Sequence, residues 1–202
     1  MKYIFNCVNG ENNLQFNREK LLLAALQKSE QLYYMMDTQY EGLYQAEAVE
    51  RKRLYGSNSF KNALARTNYK FLSDSKEKIN QAFVLLEKQK ISVFRKGIHL
   101  YSEIIYEDLV PGDVVFIGRG DIVPSDIRIV FSKDLEVDQS IYTGNEAVVR
   151  KSTSYNDEEV ALDTLTDIPN ICFAGSTVVG GLARGVVVGT GKSTYLSHLL
   201  CM

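Results

Sequence analysis

The chain has 202 residues, 45% of them hydrophobic and 24% charged, with a formal net charge of -2. That length and apolar content provide for one ordinary domain with a helical appendage or for two small domains, and they exclude a globally disordered chain. Lys and Arg are scattered, so no basic stripe marks a nucleic-acid partner, and the longest apolar runs, such as Leu21 to Leu26, fall far short of the roughly 20 residues that span a bilayer.

The elements follow in chain order. Met1-Lys2-Tyr3-Ile4-Phe5-Asn6 lacks the apolar core of a signal peptide. Asn17 is placed to cap a helix from Arg18 to about Met36, with Leu21, Leu22, Ala25, Leu26, Leu32 and Tyr33 as its apolar stripe. A second helix fits Tyr44 to Tyr55, with Gly56 where a left-handed cap belongs. Lys61 to Ser73 is weakly patterned and reads as a linker. Asp74 and Glu77 form a capping box for a third helix, whose Ile79, Ala82, Phe83 and Leu86 share one face.

From Ile91 the pattern changes to short β runs. Ile91 to Arg95 and His99 to Tyr101 flank Lys96-Gly97 as a hairpin would. Val114 to Ile117, Ile127 to Phe131, Leu135 to Val137, Ala147 to Arg150 and Ile171 to Phe173 follow, and many of these runs are separated by Gly or Pro turns. Ser176 to Val179 and Ala183 to Val188 flank Gly180-Gly181, a second hairpin signal. Ser152 to Asp167 is polar and acidic, as a surface loop is, and a helical turn or two fits Ser193 to Leu200. Strands at this spacing favour a sandwich, jelly roll or small barrel over a parallel sheet.

Cys7, Cys172 and Cys201 are far apart and odd in number, and His99 and His198 have no paired ligand spacing. They read as reduced thiols and ordinary histidines, with no metal site expected.

One run of motifs resembles a known family. Leu109-Val110-Pro111-Gly112-Asp113-Val114-Val115 opens it, and Gly120-Asp121-Ile122-Val123-Pro124-Ser125-Asp126-Ile127-Arg128 continues it. Val137-Asp138-Gln139-Ser140 and Thr143-Gly144 follow, then Cys172 to Val179, Gly185 to Val188 and Gly189-Thr190-Gly191. In order and spacing these residues resemble the actuator domain of P-type cation-pumping ATPases, and Cys172-Phe173-Ala174-Gly175 looks most like the magnesium-transporting branch. Gly42-Leu43-Tyr44, Ala46, Ala48 and Leu54 to Asn58 are similar to the N-terminal cytosolic segment of cation pumps.

The resemblance implies a mainly β fold, α+β overall, like a distorted jelly roll with N-terminal helices. It divides the chain into a helical segment at 1–60, a linker at 61–73 standing where the family has its first membrane hairpin, and the actuator domain at 74–202. It implies a cytoplasmic lever that moves membrane helices and whose loop dephosphorylates the pump. The partners it implies are the phosphorylation and membrane domains, in cis or in trans. ATP and Mg2+ belong to the intact pump. This chain alone is expected to hold no cofactor and to catalyse nothing.

The same resemblance places the dephosphorylation loop at Thr143, Gly144, Asn145 and Glu146, where the family reads Thr-Gly-Glu-Ser. Glycine lets backbone approach a phosphate, and the family's glutamate takes a proton from the attacking water. Here Asn145 stands in the glutamate's place, Glu146 comes one residue late, and Val148 replaces a family proline. An amide has no useful basicity at neutral pH. The loop either shifts register or has lost its hydrolytic function, and loss or severe slowing is the expectation.

Apart from any family, Pro-Gly-Asp and Pro-Ser-Asp are turn chemistry that shapes a fold. Gly189-Thr190-Gly191-Lys192-Ser193-Thr194 resembles the end of a phosphate-binding P-loop, but Val186 stands where that pattern needs a glycine. Nucleotide binding there is not expected.

Overall fold

The computed structural model describes residues 16–66, 75–96, 101–144, 148–155 and 165–202. Eight strands form one sheet, in the order β1-β2-β4-β8-β5-β6 with β3 added beside β2 and β7 beside β5. The strands are β1 (Leu43–Tyr44), β2 (Lys90–Lys96), β3 (Ser102–Ile105), β4 (Val114–Gly118), β5 (Asp126–Asp138), β6 (Val148–Arg150), β7 (Ile171–Cys172) and β8 (Thr177–Gly189). All pairings are antiparallel except β1 with β2. The fold is mainly β within an α+β whole, as the resemblance implies.

β5 and β8, 13 residues each, form the spine. Ile127, Ile129, Leu135 and Val137 of β5 and Val178, Ala183 and Val187 of β8 all enter one core cluster. Strands that feed one core from both ends must bend around it, and register shifts at Asp126/Ile127, Ile129/Phe131, Lys133/Glu136 and Glu136/Val137 supply the bends.

The second hairpin expected at Gly180-Gly181 is therefore absent: both glycines lie within β8, and its flanking runs are one strand. The reason is a close approach. A Cβ on Gly181, at φ +66, would sit 2.1 Å from the carbonyl oxygen of Asp134. Asp134 itself has φ 49, at the bulge that keeps Ile127–Phe131 and Leu135–Val137 on one strand. Glycines that signal a turn here let two strands pass each other at a bulge.

Helix α5 (Lys76–Lys88) closes the core with Ile79, Ala82, Phe83 and Leu86, all buried as their spacing demands. Asp74, its expected cap, lies outside the described residues. The β2–β3 hairpin forms, but its second strand begins at Ser102, past the expected His99 to Tyr101, and 97–100 are outside the described residues. Of the expected linker, Lys61–Arg66 is a helix, α4.

The N-terminal helices lie on the sheet. The helix expected from Arg18 to Met36 is two, α1 (Arg18–Leu26) and α2 (Ser29–Met35). Arg128 of β5 donates to the carbonyls of Ala24 (3.2 Å) and Gln27 (2.8 Å), and Asn170 donates to that of Ala25 (2.8 Å). Side chains from β5 and from the turn before β7 thus take the carbonyls that a continuing helix would use, which ends α1. Ala24, Leu32 and Met36 pack on Val114 and Val186, while Leu21 and Ala25 pack on Ile168, Ile171 and Phe173. Helix α3 (Gln45–Tyr55) begins where Glu47 accepts from the Tyr44 amide and ends at Gly56, φ 81. Of the acidic loop, Leu165 and Thr166 are buried instead of solvated, Leu165 against Phe173. Cys172 is buried and Cys201 exposed.

Candidate functional site

Between β5 and β6, which pair Asp138 with Val148 at the end of the strand order, the described residues run from Gln139 to Gly144. They include α6 (Ser140–Thr143), a single turn of four residues. So short a helix does not hold itself in water, and its neighbours supply the hold. Asp138 accepts from the amide of Ser140 at 2.8 Å and from its hydroxyl at 3.2 Å. Ile141 packs over Gly175, whose φ is +82 and where a Cβ would lie 2.8 Å from the Ile141 Cδ1. The Tyr142 hydroxyl donates to the Ala174 carbonyl at 2.6 Å, and its ring stacks on Tyr195 at 5.7 Å. The Phe173-Ala174-Gly175 run is thus the bed on which α6 rests.

Thr143 is exposed at the end of that turn, and Gly144 closes it in the left-handed conformation (φ 77, ψ -29), its amide bonded to the Ser140 carbonyl at 2.8 Å. Asn145 and Glu146 lie outside the described residues. Two polar side chains at the start of α5 reach across: the hydroxyl of Ser75, its N-cap residue, donates to the Ser140 carbonyl (3.3 Å) and the Lys78 ammonium to the Gly144 carbonyl (3.1 Å). Nothing in the spacing of Ser75 or Lys78 separates them from ordinary helix-surface residues, so sequence reasoning missed both.

The aspartates of the turn motifs serve the fold. Asp113, fully buried, receives Arg95 through two bonds (3.0 and 2.8 Å) and the Val110 amide (3.0 Å). Gly112 beside it has φ +91, and a Cβ there would lie 2.2 Å from Arg51 Nη1, which donates to the Pro111 and Met36 carbonyls at 2.8 Å each. Asp126 accepts from the amides of Ala174 (3.0 Å) and Tyr195 (2.7 Å). Burial pushes its carboxyl up to about 7, against the pull of those two bonds. Burial likewise lowers Lys151 to about 8, where it donates to the Thr166 and Ile168 carbonyls. Buried Asn58 bridges distant segments, donating to the Tyr106 and Pro124 carbonyls and accepting from Gly191.

That last bond bears on the P-loop-like run. The Gly191 amide is bound to Asn58, the Thr190 amide to Ser193 Oγ and the Ser193 amide to the Thr190 carbonyl. A phosphate cradle needs such amides free and converging; here they are used inside the fold, and Thr194 caps the short helix α7 (Tyr195–Cys201).

A cavity of about 40 Å³ lies beside Asp126, Lys20 and Tyr55, and an open cleft of about 570 Å³ beside Phe16, Tyr195 and His198. Neither is lined by Thr143 or Gly144. Thr143 is exposed and Gly144 half-buried. Among the described residues no three acidic, His or Cys side chains could hold a metal ion, and no helix is long and apolar enough to cross a membrane.

Residues 86–201 match the family model of the P-type ATPase actuator domain. The chain belongs to that family. The match begins within α5 and runs through β2 to α7, so it takes in every strand but β1, and the Thr143-Gly144 turn. The actuator domain is 36% identical over 104 residues to a magnesium-transporting ATPase of Escherichia coli, covering 52% of this chain and 11% of that protein. It is 41% identical over 128 residues to the endoplasmic reticulum calcium ATPase of Aspergillus fumigatus, covering 62% and 13%. With a calcium-transporting ATPase of Schizosaccharomyces pombe it shares 42% over 98 residues, 48% and 11%. The chain spans about a tenth of the length of these relatives, and both ions appear among their names.

Proposed function

We propose that this chain is the actuator part of a P-type cation pump, at the cytoplasmic face of a membrane, and that the turn at Thr143-Gly144 is the end it brings to an aspartyl-phosphate on a phosphorylation domain. The observation that carries this reading is the exposed Thr143 followed by a half-buried, left-handed Gly144 that closes a bedded single turn. A backbone without Cβ lets a tetrahedral anion approach closely. The basic group that would take a proton from water is missing at position 145, because Asn145 carries an amide. The actuator therefore moves with the pump but resets it slowly. Magnesium is the cargo we favour, on the Cys172-Phe173-Ala174-Gly175 run and the Escherichia coli relative; the calcium relatives are the competing choice.

The test is a chimera. Residues 86–201 replace the matching segment of the Escherichia coli magnesium pump, and the acid-stable phosphoenzyme is formed and chased. Slow decay, with Asn145→Glu restoring it, supports the proposal. Native decay with Asn145 in place, or no gain from Asn145→Glu, overturns it.

A second reading, docking in trans on an intact pump as a competitor, is favoured by the same turn and Asn145. Co-purification with a pump and a lengthened phosphoenzyme lifetime would favour it over action in cis.

A further inference from the structure

We infer that Lys78 is the positioning residue of the Thr143-Gly144 turn, and that helix α5, through Lys78 and Ser75, sets where that turn stands. The inference deepens the proposed function and rests on it only for what the turn is for.

The geometry runs as follows. α6 has one side bedded on the Phe173-Ala174-Gly175 run, through Ile141 and Tyr142. Its backbone carbonyls are held from α5: Ser75 takes the carbonyl of Ser140, the first residue, and Lys78 that of Gly144, the residue that closes the turn. A helix leaves its last carbonyls without partners, and a cation there meets both the lone pairs and the negative end of the peptide dipoles. Ser75, the N-cap residue of α5, and Lys78 in its first turn meet the two ends of a single turn. The same α5 is fixed in the main core by Ile79, Ala82, Phe83 and Leu86. A displacement of the start of α5 is thereby felt at Gly144 without passing through the sheet. Lys78 is half-buried and outside the core, so its loss frees the turn and leaves the fold.

Amide hydrogen exchange on the full 202-residue chain, resolved by NMR, reads this directly. The Gly144 amide, bonded to the Ser140 carbonyl, is the reporter, and the Ile127 and Val187 amides in the spine are the control. Lys78→Met is expected to speed Gly144 exchange about fivefold or more, as losing one charge-assisted bond does, with the control amides unchanged. Lys78→Arg is expected to recover most of the protection, and Ser75→Ala to speed exchange at Gly144 to a smaller extent. Unchanged Gly144 exchange in Lys78→Met, no recovery with arginine, or a parallel rise at Ile127 and Val187 overturns the inference. No phosphoenzyme enters this measurement, so the chimera can fail while the positioning role stands, and the reverse.

Discussion

Replacing Asp113 by alanine strips the buried Arg95 guanidinium of its only carboxylate contact among the described residues. The pair is almost wholly enclosed, with 5% of the arginine and none of the aspartate side chain exposed. Two of the guanidinium's bonds go to Asp113; the others go to the Asp108 carbonyl (3.0 Å) and the Gln45 side chain (3.2 Å). Asp113→Ala also orphans the Val110 amide. Breaking a buried pair by removing one partner costs about 3–5 kcal/mol, chiefly because the remaining charge is uncompensated. Arg95→Ala should cost a similar amount for the mirror-image reason. The double variant leaves neither charge behind, so it should cost less than the sum by about 2–3 kcal/mol. Urea unfolding followed by circular dichroism measures all four corners of the cycle; the chain has no Trp, so fluorescence is less suited. Additivity within about 0.5 kcal/mol would refute the argument that charge burial, and not lost packing, dominates here.

Asp126 gives a pH prediction. Its folded value of about 7 lies above the ordinary 3.8, so the stability it contributes is fully present below about 4 and is lost as pH rises through about 7. The stability difference between the native chain and Asp126→Asn should change over that window by up to about 4 kcal/mol, and parallel urea-midpoint profiles would refute it. Gly112→Ala should destabilise by about 2–3 kcal/mol, from positive φ and collision with Arg51, and Arg51→Ala should relieve part of that loss in the double variant. Calorimetry with ATP should give no heat for the native chain or for Lys192→Ala, since the amides around Gly191 are already bonded; a binding isotherm abolished by Lys192→Ala would contradict it.

The sequence by itself determined the family and the class of fold, because these reside in local chemistry. Pro-Gly-Asp and Pro-Ser-Asp set turns wherever they occur, and the apolar spacing of Ile79, Ala82, Phe83 and Leu86 defines a helix face before any neighbour is known. Thr143-Gly144 was legible only through the family resemblance; that Gly144 closes a helical turn in the left-handed conformation came from the structure. Tertiary structure alone decided the rest. One helix became two because Arg128 and Asn170, more than a hundred residues away, take the carbonyls of α1, and the expected hairpin at Gly180-Gly181 became a bulge because Asp134 passes beside it. Lys78 and Asn58 carry no local signature. Their roles follow from which backbone groups the fold leaves unpaired beside them, and no window of neighbouring residues contains that information.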